Sequence, residues 1–334
     1  MCTAVSWTPG QHYFGRNLDL EYSYHEAVTV TPRNYPFRFR CLPTMDHHYA
    51  LIGIGTLAQN YPLYYDAVNE AGLCMAGLNF PGLAHYGKHQ SGKDNVASFE
   101  LIPWILGQCS SLEQAQELLQ KINITDTAFS DAFQPTPLHW IIADRNHSLT
   151  VEAMEDGLHI HGNPLGVLTN NPPFEYHLYN LKNHMQLSAA PAVDRFAPNF
   201  ALTPYSNGMG AMGLPGDFSS ASRFVRAAFV KLNSPAEATE EENVGQFFHI
   251  LNAVSMPKGS VQMQDGRHEI TLYSSCCNAT KGIYYYTTYT NARVCAVELH
   301  REDLESSQVI SYPLIHRPDF YLQNQTFGKE GGQQ

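Results

Sequence analysis

Charge is scarce in this chain: Asp, Glu, Lys and Arg make up 15% of its 334 residues, against 43% hydrophobic residues. That balance excludes a charge-rich disordered polymer and leaves ample apolar material for a large core. Basic residues are the scarcer sign, 20 Lys and Arg against 31 Asp and Glu, giving a formal net charge of −11. A nucleic-acid binder ordinarily shows basic excess or a basic stripe; here Lys and Arg are scattered, and nucleic acid is set aside as a partner. No apolar run approaches the roughly 20 residues needed to span a bilayer. Nor is Met1 followed by the basic and apolar segments of a secretory signal. The expected location is therefore the cytoplasm, away from membranes. The Asn-x-Ser/Thr triplets at Asn123, Asn146, Asn278 and Asn324 are then chance matches.

Metal-binding and disulfide patterns are also missing. The seven cysteines (Cys2, Cys41, Cys74, Cys109, Cys276, Cys277 and Cys295) are odd in number and irregular in spacing. Together with the lack of a signal peptide, this argues against a disulfide framework. No Cys-x-x-Cys pair exists, so a structural zinc site is not expected. Asp46-His47-His48 and His159-x-His161 lack a third spaced ligand and read as solvated polar stretches. Most of the thiols lie in apolar, strand-like contexts and read as inert core residues. Cys2 is different.

What is present is a mixed α and β pattern. Cys2 to Trp7 and His12 to Leu18 read as two strands joined by a tight turn at Thr8-Pro9-Gly10-Gln11. Further strands are expected at Ala27 to Thr31, Tyr49 to Ile54, Tyr64 to Val68 and Leu73 to Asn79. Residues 97–122 read as two helical pieces, the second opened by a capping-box pattern over Ser110 to Glu113. Strands return at Leu138 to Ala143, Leu149 to Met154 and Gly166 to Leu168, followed by a helix from Phe174 to about Met185. The segment 187–216 is rich in Pro, Gly, Ala and Ser and reads as a long loop. Helices follow near 219–232 and 240–254, then strands at Glu269 to Ser275, Gly282 to Tyr289 and Ala292 to Leu299. Strands at both ends with helices between them predict one layered α+β domain over residues 2–323. Residues 324–334 read as a polar, disordered tail.

Initiator methionine is commonly trimmed before a small residue, which would leave Cys2 with a free α-amine. A thiol of pKa about 8.5 is only a few per cent thiolate at neutral pH. An α-amine titrating at about 7.7–8.0 can take the thiol proton and later return it to a leaving amine. One residue then supplies nucleophile and base. The predicted hairpin brings Phe14-Gly15-Arg16-Asn17-Leu18-Asp19 beside it. There a guanidinium can stabilise a thiolate and a carboxylate can hold an amine. Taken singly, each of these residues has an ordinary structural explanation.

As an ordered set the motifs do not. Cys2-Thr3, Gly15-Arg16-Asn17-Leu18-Asp19, Thr31-Pro32-Arg33-Asn34-Tyr35, Asn69-Glu70-Ala71-Gly72-Leu73, Thr169-Asn170-Asn171-Pro172 and Leu214-Pro215-Gly216-Asp217-Phe218 resemble the choloylglycine hydrolase family. That family contains bile salt hydrolases and penicillin V acylases within the N-terminal-nucleophile hydrolases. The resemblance runs from residue 2 to about residue 300. It implies a four-layer αββα sandwich, two antiparallel sheets packed face to face with helices outside, and no metal or organic cofactor. It also implies roles: Cys2 as nucleophile and base, Arg16 beside the thiolate, and Asp19 on the α-amine. Asn79 and Asn170 would form the oxyanion hole, with Arg223 completing the charged shell.

Asn79, in Gly77-Leu78-Asn79-Phe80-Pro81, resembles the bile salt hydrolase branch, whereas penicillin V acylases place Tyr there. The expected substrate is thus a glycine- or taurine-conjugated bile salt. Leu18, Ala58, Tyr65, Phe129 and Phe133 are the expected pocket walls, with plain core packing as the competing reading. Gly208-Met209-Gly210 resembles a form associated with taurine conjugates. The resemblance further implies a homo-oligomer, often a tetramer, for which the helices near 219–254 are one candidate surface. Penicillin V acylase or a related N-acyl amidase is the alternative activity. A catalytically silent steroid binder on the same scaffold is the alternative from another class.

Overall fold

A computed structural model describes residues 1–324; all but the first residue of the expected polar tail lies outside the described residues. The strands of the amino-terminal half are β1 (Cys2–Trp7), β2 (Tyr13–Leu20), β3 (Ala27–Thr31), β4 (Leu51–Ala58), β5 (Tyr61–Asn69), β6 (Cys74–Asn79), β7 (Asp94–Ala97) and β8 (Ile122–Thr125). After them come β9 (Leu138–Ala143), β10 (Ser148–Met154), β11 (Gly157–Gly162), β12 (Val167–Leu168), β13 (Ile270–Asn278), β14 (Ile283–Thr288), β15 (Cys295–Glu298) and β16 (Ile310–Pro313). The α-helices are α1 (Leu101–Gln108), α2 (Leu112–Leu119), α3 (Phe174–Asn180), α4 (Ser220–Asn233) and α5 (Glu240–Asn252).

Two antiparallel sheets form the centre. One has the order β12-β1-β2-β13-β14-β15, the other β11-β10-β9-β6-β5-β4-β3-β16. The expected terminal pairing holds, since β2 lies between β1 and β13. Strand alternation explains the layering. Ala4, Phe14, Ile52, Val68, Ala76 and Ile141, all buried, join the sheets in one apolar cluster that extends to Phe224 of α4 and Phe247 of α5. The opposite face of the larger sheet contributes Leu51, Met75, Trp140 and Ile142 to a second cluster with Leu101 and Ile105 of α1 and Leu112 of α2. Helices therefore cover both outer faces, in the αββα arrangement that the resemblance implied.

The first hairpin pairs Cys2 with Leu18 and Ala4 with Arg16. Gly10, at φ 115°, makes the turn that only glycine adopts without strain. Gly15 serves a different need. A Cβ there would stand 1.9 Å from the Ser275 carbonyl oxygen, so its absence lets β2 pair closely with β13.

Other elements depart from the sequence reading. The cap of α2 is Ser111, whose side chain accepts from Gln114 N, one residue later than the predicted box. The parallel pair β7–β8, the edge strand β11 and the closing strand β16 were not anticipated. The 187–216 segment is a loop apart from a short 3-10 turn at Met209–Ala211. Among the described residues, no three His, Cys, Asp or Glu side chains gather as metal ligands. No described helix is long and apolar enough to cross a membrane.

Candidate active site

Alternation along the hairpin sorts the site residues. Cys2, Arg16 and Leu18 fall on the face toward the larger sheet; Thr3, Asn17 and Asp19 fall on the face toward α4 and α5. Arg16 is 1% exposed and crosses between the sheets, its Nη1 donating to the carbonyls of Tyr65 at 2.9 Å and Gly77 at 2.6 Å. Burial alone would discharge it. Cys2, which its guanidinium hydrogen-bonds, together with Tyr273 and Asp66, instead holds it above its ordinary value. Asp66 is the buried counter-charge. Its oxygens accept from Tyr273 Oη at 3.0 Å, from Tyr284 Oη and from Ser275 Oγ at 3.5 Å. Burial pushes the Asp66 carboxyl up, and Arg16 and these hydroxyls pull it back.

Behind Cys2 stands Arg223, fully buried on α4. One of its nitrogens, Nη1, donates to the Cys2 carbonyl and to Thr3 Oγ1 at 2.7 Å; Nη2 donates to Asn170 Oδ1 at 2.7 Å. Burial lowers its pKa, and the charges of Asp19 and Cys2 oppose that. Asn170 is thereby oriented with its oxygen toward Cys2, whose backbone N–H donates to Oδ1 at 2.8 Å. Its Nδ2 donates to the Asn79 carbonyl at 2.7 Å, which links two loops from different strands. Asn170 is held in turn by Ser220 Oγ on its N–H, at 2.8 Å, and by His177 Nε2 on its carbonyl, at 2.9 Å.

Asp19 is fully buried at the end of β2. Its Oδ1 accepts from Thr271 Oγ1 at 2.5 Å, and its Oδ2 has no partner among the described residues. Met1 is present, and its terminal amine donates to the Asp19 carbonyl at 2.7 Å and pairs with Glu269. Burial pushes that amine below its ordinary value of 8.0, with Cys2 and Asp19 opposing. The carboxylate expected to hold the amine of Cys2 thus has one oxygen without a partner among the described residues.

Cys2, Arg16 and Asn79 open onto a cavity of about 670 Å³. Leu18, Tyr65, Phe129 and Phe133 line it as expected, and Leu20 and Phe99 join them. Ala58 does not. It is the last residue of β4 before the Gln59–Asn60 turn, two residues and roughly 7 Å beyond Thr56, which does line the cavity. It packs instead against the outer apolar cluster. Asp19, Asn170 and Arg223 are not on the cavity wall; they brace the residues that are. The sequence reading missed Asp66, Thr271 and Glu269. Asp66 left one signal, a lone acid inside the apolar run Leu63 to Val68.

Residues 2–312 fit the choloylglycine hydrolase family of linear amide C–N hydrolases. The chain belongs to that family. It is 51% identical to a bile salt hydrolase/transferase of Lactiplantibacillus plantarum, over 97% of this chain and 100% of the relative. Among solved structures it resembles the C2A mutant of the conjugated bile acid hydrolase from Clostridium perfringens, with a TM-score of 0.90 and 35% identity, covering 97% of this chain and 100% of the other. A penicillin V acylase from Agrobacterium tumefaciens shares the choloylglycine hydrolase fold at a TM-score of 0.75 and 20% identity, covering 95% and 94% of the two chains.

Proposed function

We propose that the protein hydrolyses glycine- or taurine-conjugated bile salts through a Cys2 thioester once Met1 has been removed. The observation that carries this reading is the 2.8 Å bond from Cys2 N to Asn170 Oδ1, at the wall of an aromatic-lined cavity. Loss of Met1 turns that amide nitrogen into an α-amine already oriented by Asn170. It also releases Glu269 and the Asp19 carbonyl from the Met1 ammonium. The amine takes the thiol proton, and Arg16 stabilises the thiolate.

The thiolate attacks the scissile carbonyl, whose oxygen becomes negative. Asn79, whose side-chain amide has no partner among the described residues and which borders the cavity, is the donor this reading assigns to that oxygen. A preorganised donor of this kind is worth about 3–4 kcal/mol of barrier. The sequence reading paired Asn170 with Asn79 in this task; the bonds of Asn170 support amine orientation as its principal role. The ammonium then protonates the departing glycine or taurine, and water activated by the same amine releases the bile acid. The steroid belongs against Leu18, Tyr65, Phe129 and Phe133, an apolar and preformed surface of the kind such ligands select.

The name of the L. plantarum relative supports a second outcome for the thioester. An amine in place of water would give a new conjugated amide. Self-association and a cytoplasmic location complete the reading. For the former, the exposed Met185, Phe196, Phe200 and Tyr205 on and beside the 187–216 loop are the supporting feature. Glycine and taurine release from conjugated bile salts, measured beside phenoxyacetate release from penicillin V, tests the substrate. Cys2→Ala should retain bile salt binding and lose essentially all hydrolysis. A clear preference for the penicillin, or turnover by Cys2→Ala, would overturn the proposal.

A further inference from the structure

His139 lies beneath the site and touches neither Cys2 nor the cavity. It is fully buried on β9, paired in register with Leu78, the residue before Asn79. Its ring stacks on Phe80, the residue after Asn79, at a centroid distance of 4.3 Å and an interplanar angle of 7°. On the other side its Nε2 meets the carbonyl of Thr169, the residue before Asn170, at 2.9 Å. Its Nδ1 lies 3.0 Å from Glu152 Oε1 on β10. Glu152 is also fully buried and accepts from Phe174 N, at 3.0 and 3.2 Å, at the start of α3. One imidazole therefore contacts both chain segments that carry the site asparagines.

The chemistry of the pair follows from what faces each nitrogen. The Thr169 carbonyl can only accept, so Nε2 must carry a hydrogen. Nδ1 faces the carboxylate of Glu152, whose other oxygen lies 3.8 Å from His161 Nε2. Isolated buried charges would be costly, and pairing with further hydrogen bonds removes most of that penalty. The network is directional, so it fixes where Thr169 sits relative to Phe80. The bond from Asn170 Nδ2 to the Asn79 carbonyl spans the same gap.

We propose that His139, oriented by Glu152, is a positioning residue that sets the separation of Asn79 and Asn170. This inference rests on the reading that Cys2 attacks an amide carbonyl beside those two asparagines. It assigns His139 no contact with substrate. Its removal should therefore affect the transition state more than substrate binding.

The experiment compares wild type, His139→Gln and Glu152→Gln, each with Met1 confirmed absent by mass. Glycine release from a glycine-conjugated bile salt gives kcat and KM; the rate of Cys2 alkylation by iodoacetamide and the Tm are measured alongside. Expected is a fall in kcat of at least tenfold in both variants, with KM close to wild type and any slowing of alkylation much smaller than the fall in kcat; Tm falls in both, because each leaves a buried polar partner unpaired. Normal kcat in either folded variant overturns the proposal. So does a fall in kcat matched by an equal fall in alkylation rate, because a general loosening of the site predicts that pattern. Glu152→Gln keeps the shape of the side chain and decides the matter if His139→Gln does not fold. A wild type that releases no glycine refutes the hydrolase reading instead, a result separate from any difference between variants.

Discussion

The backbone nitrogen of Cys2 and the side-chain oxygen of Asn170 stand 2.8 Å apart across 168 positions of sequence. That oxygen also accepts from Arg223, so it is held by a charge while it holds the future amine. Asn170→Ala removes the acceptor and also the donor to the Asn79 carbonyl. The expected loss in kcat/KM is 10²- to 10³-fold, equivalent to about 3–4 kcal/mol, the scale of one preorganised donor. Steady-state kinetics check it; a loss under fivefold would mean that the amine is oriented by something else.

A retained Met1 should silence the enzyme. Its amine is tied to Glu269 and to the Asp19 carbonyl, and the Cys2 nitrogen is then an amide that cannot accept a proton. Placing a bulky residue at position 2 to block trimming would also delete the nucleophile. A cleaner form is therefore a chain whose Met1 is preceded by an added, uncleaved segment. Less than 1% of wild-type hydrolysis is expected from it, with mass spectrometry confirming the added residues. Full activity with a blocked amine would require a base other than the amino-terminus.

The hairpin that presents Cys2 was legible because its cues are local: alternation on either side of Thr8-Pro9-Gly10 and a glycine free to take φ 115°. That Asn79, Asn170 and Arg223 gather around Cys2 was expected only through the ordered family motifs, since no local pattern brings residues 91 positions apart, such as Asn79 and Asn170, into contact. Asp66 was missed for a physical reason. On a half-exposed strand an acid between apolar residues faces water, but β5 is covered on both faces, so Asp66 points inward to Arg16. The same holds for His139 and Glu152, buried polar residues in strands that were themselves foreseen. Ala58 failed in the opposite way. The strand expected over Tyr49 to Ile54 runs on to Ala58, which lies beyond the edge of the cavity.

Arg16 and Asp66 make stability depend on pH in a defined direction. The folded Asp66 carboxyl has a raised pKa, so the folded chain binds more protons than the unfolded one above about 3.9, the ordinary carboxylate value. The stability it contributes is therefore greatest at low pH and declines as pH rises toward the folded value. Arg16 limits that decline. Arg16→Gln removes the cation and raises the folded Asp66 value further, leaving an unpaired buried carboxylate that costs about 3–5 kcal/mol near neutrality. Urea unfolding should show a smaller loss at pH 4.5 than at pH 7. An equal loss at both would mean that Asp66 is not the partner that matters.

Phe129 and Ala58 separate pocket from packing. Phe129 borders the cavity and contacts Tyr61, Phe99 and Phe133 edge-on or tilted, with the Arg40 guanidinium 5.1 Å from its ring centroid. Truncation to alanine removes apolar surface from the steroid wall and leaves a void in that cluster. We expect KM for a conjugated bile salt to rise about tenfold with a smaller change in kcat, because the ring lies away from the reacting atoms and contributes to ground state and transition state alike. Stability should fall by about 3 kcal/mol, at the lower end for Phe truncations because the ring's cavity edge is already open. Ala58→Ser lies outside the lining and should leave KM within twofold of wild type. A KM effect at Ala58 equal to that at Phe129 would move the substrate to a different wall, whereas the difference between the two fixes the steroid against the aromatic side of the cavity.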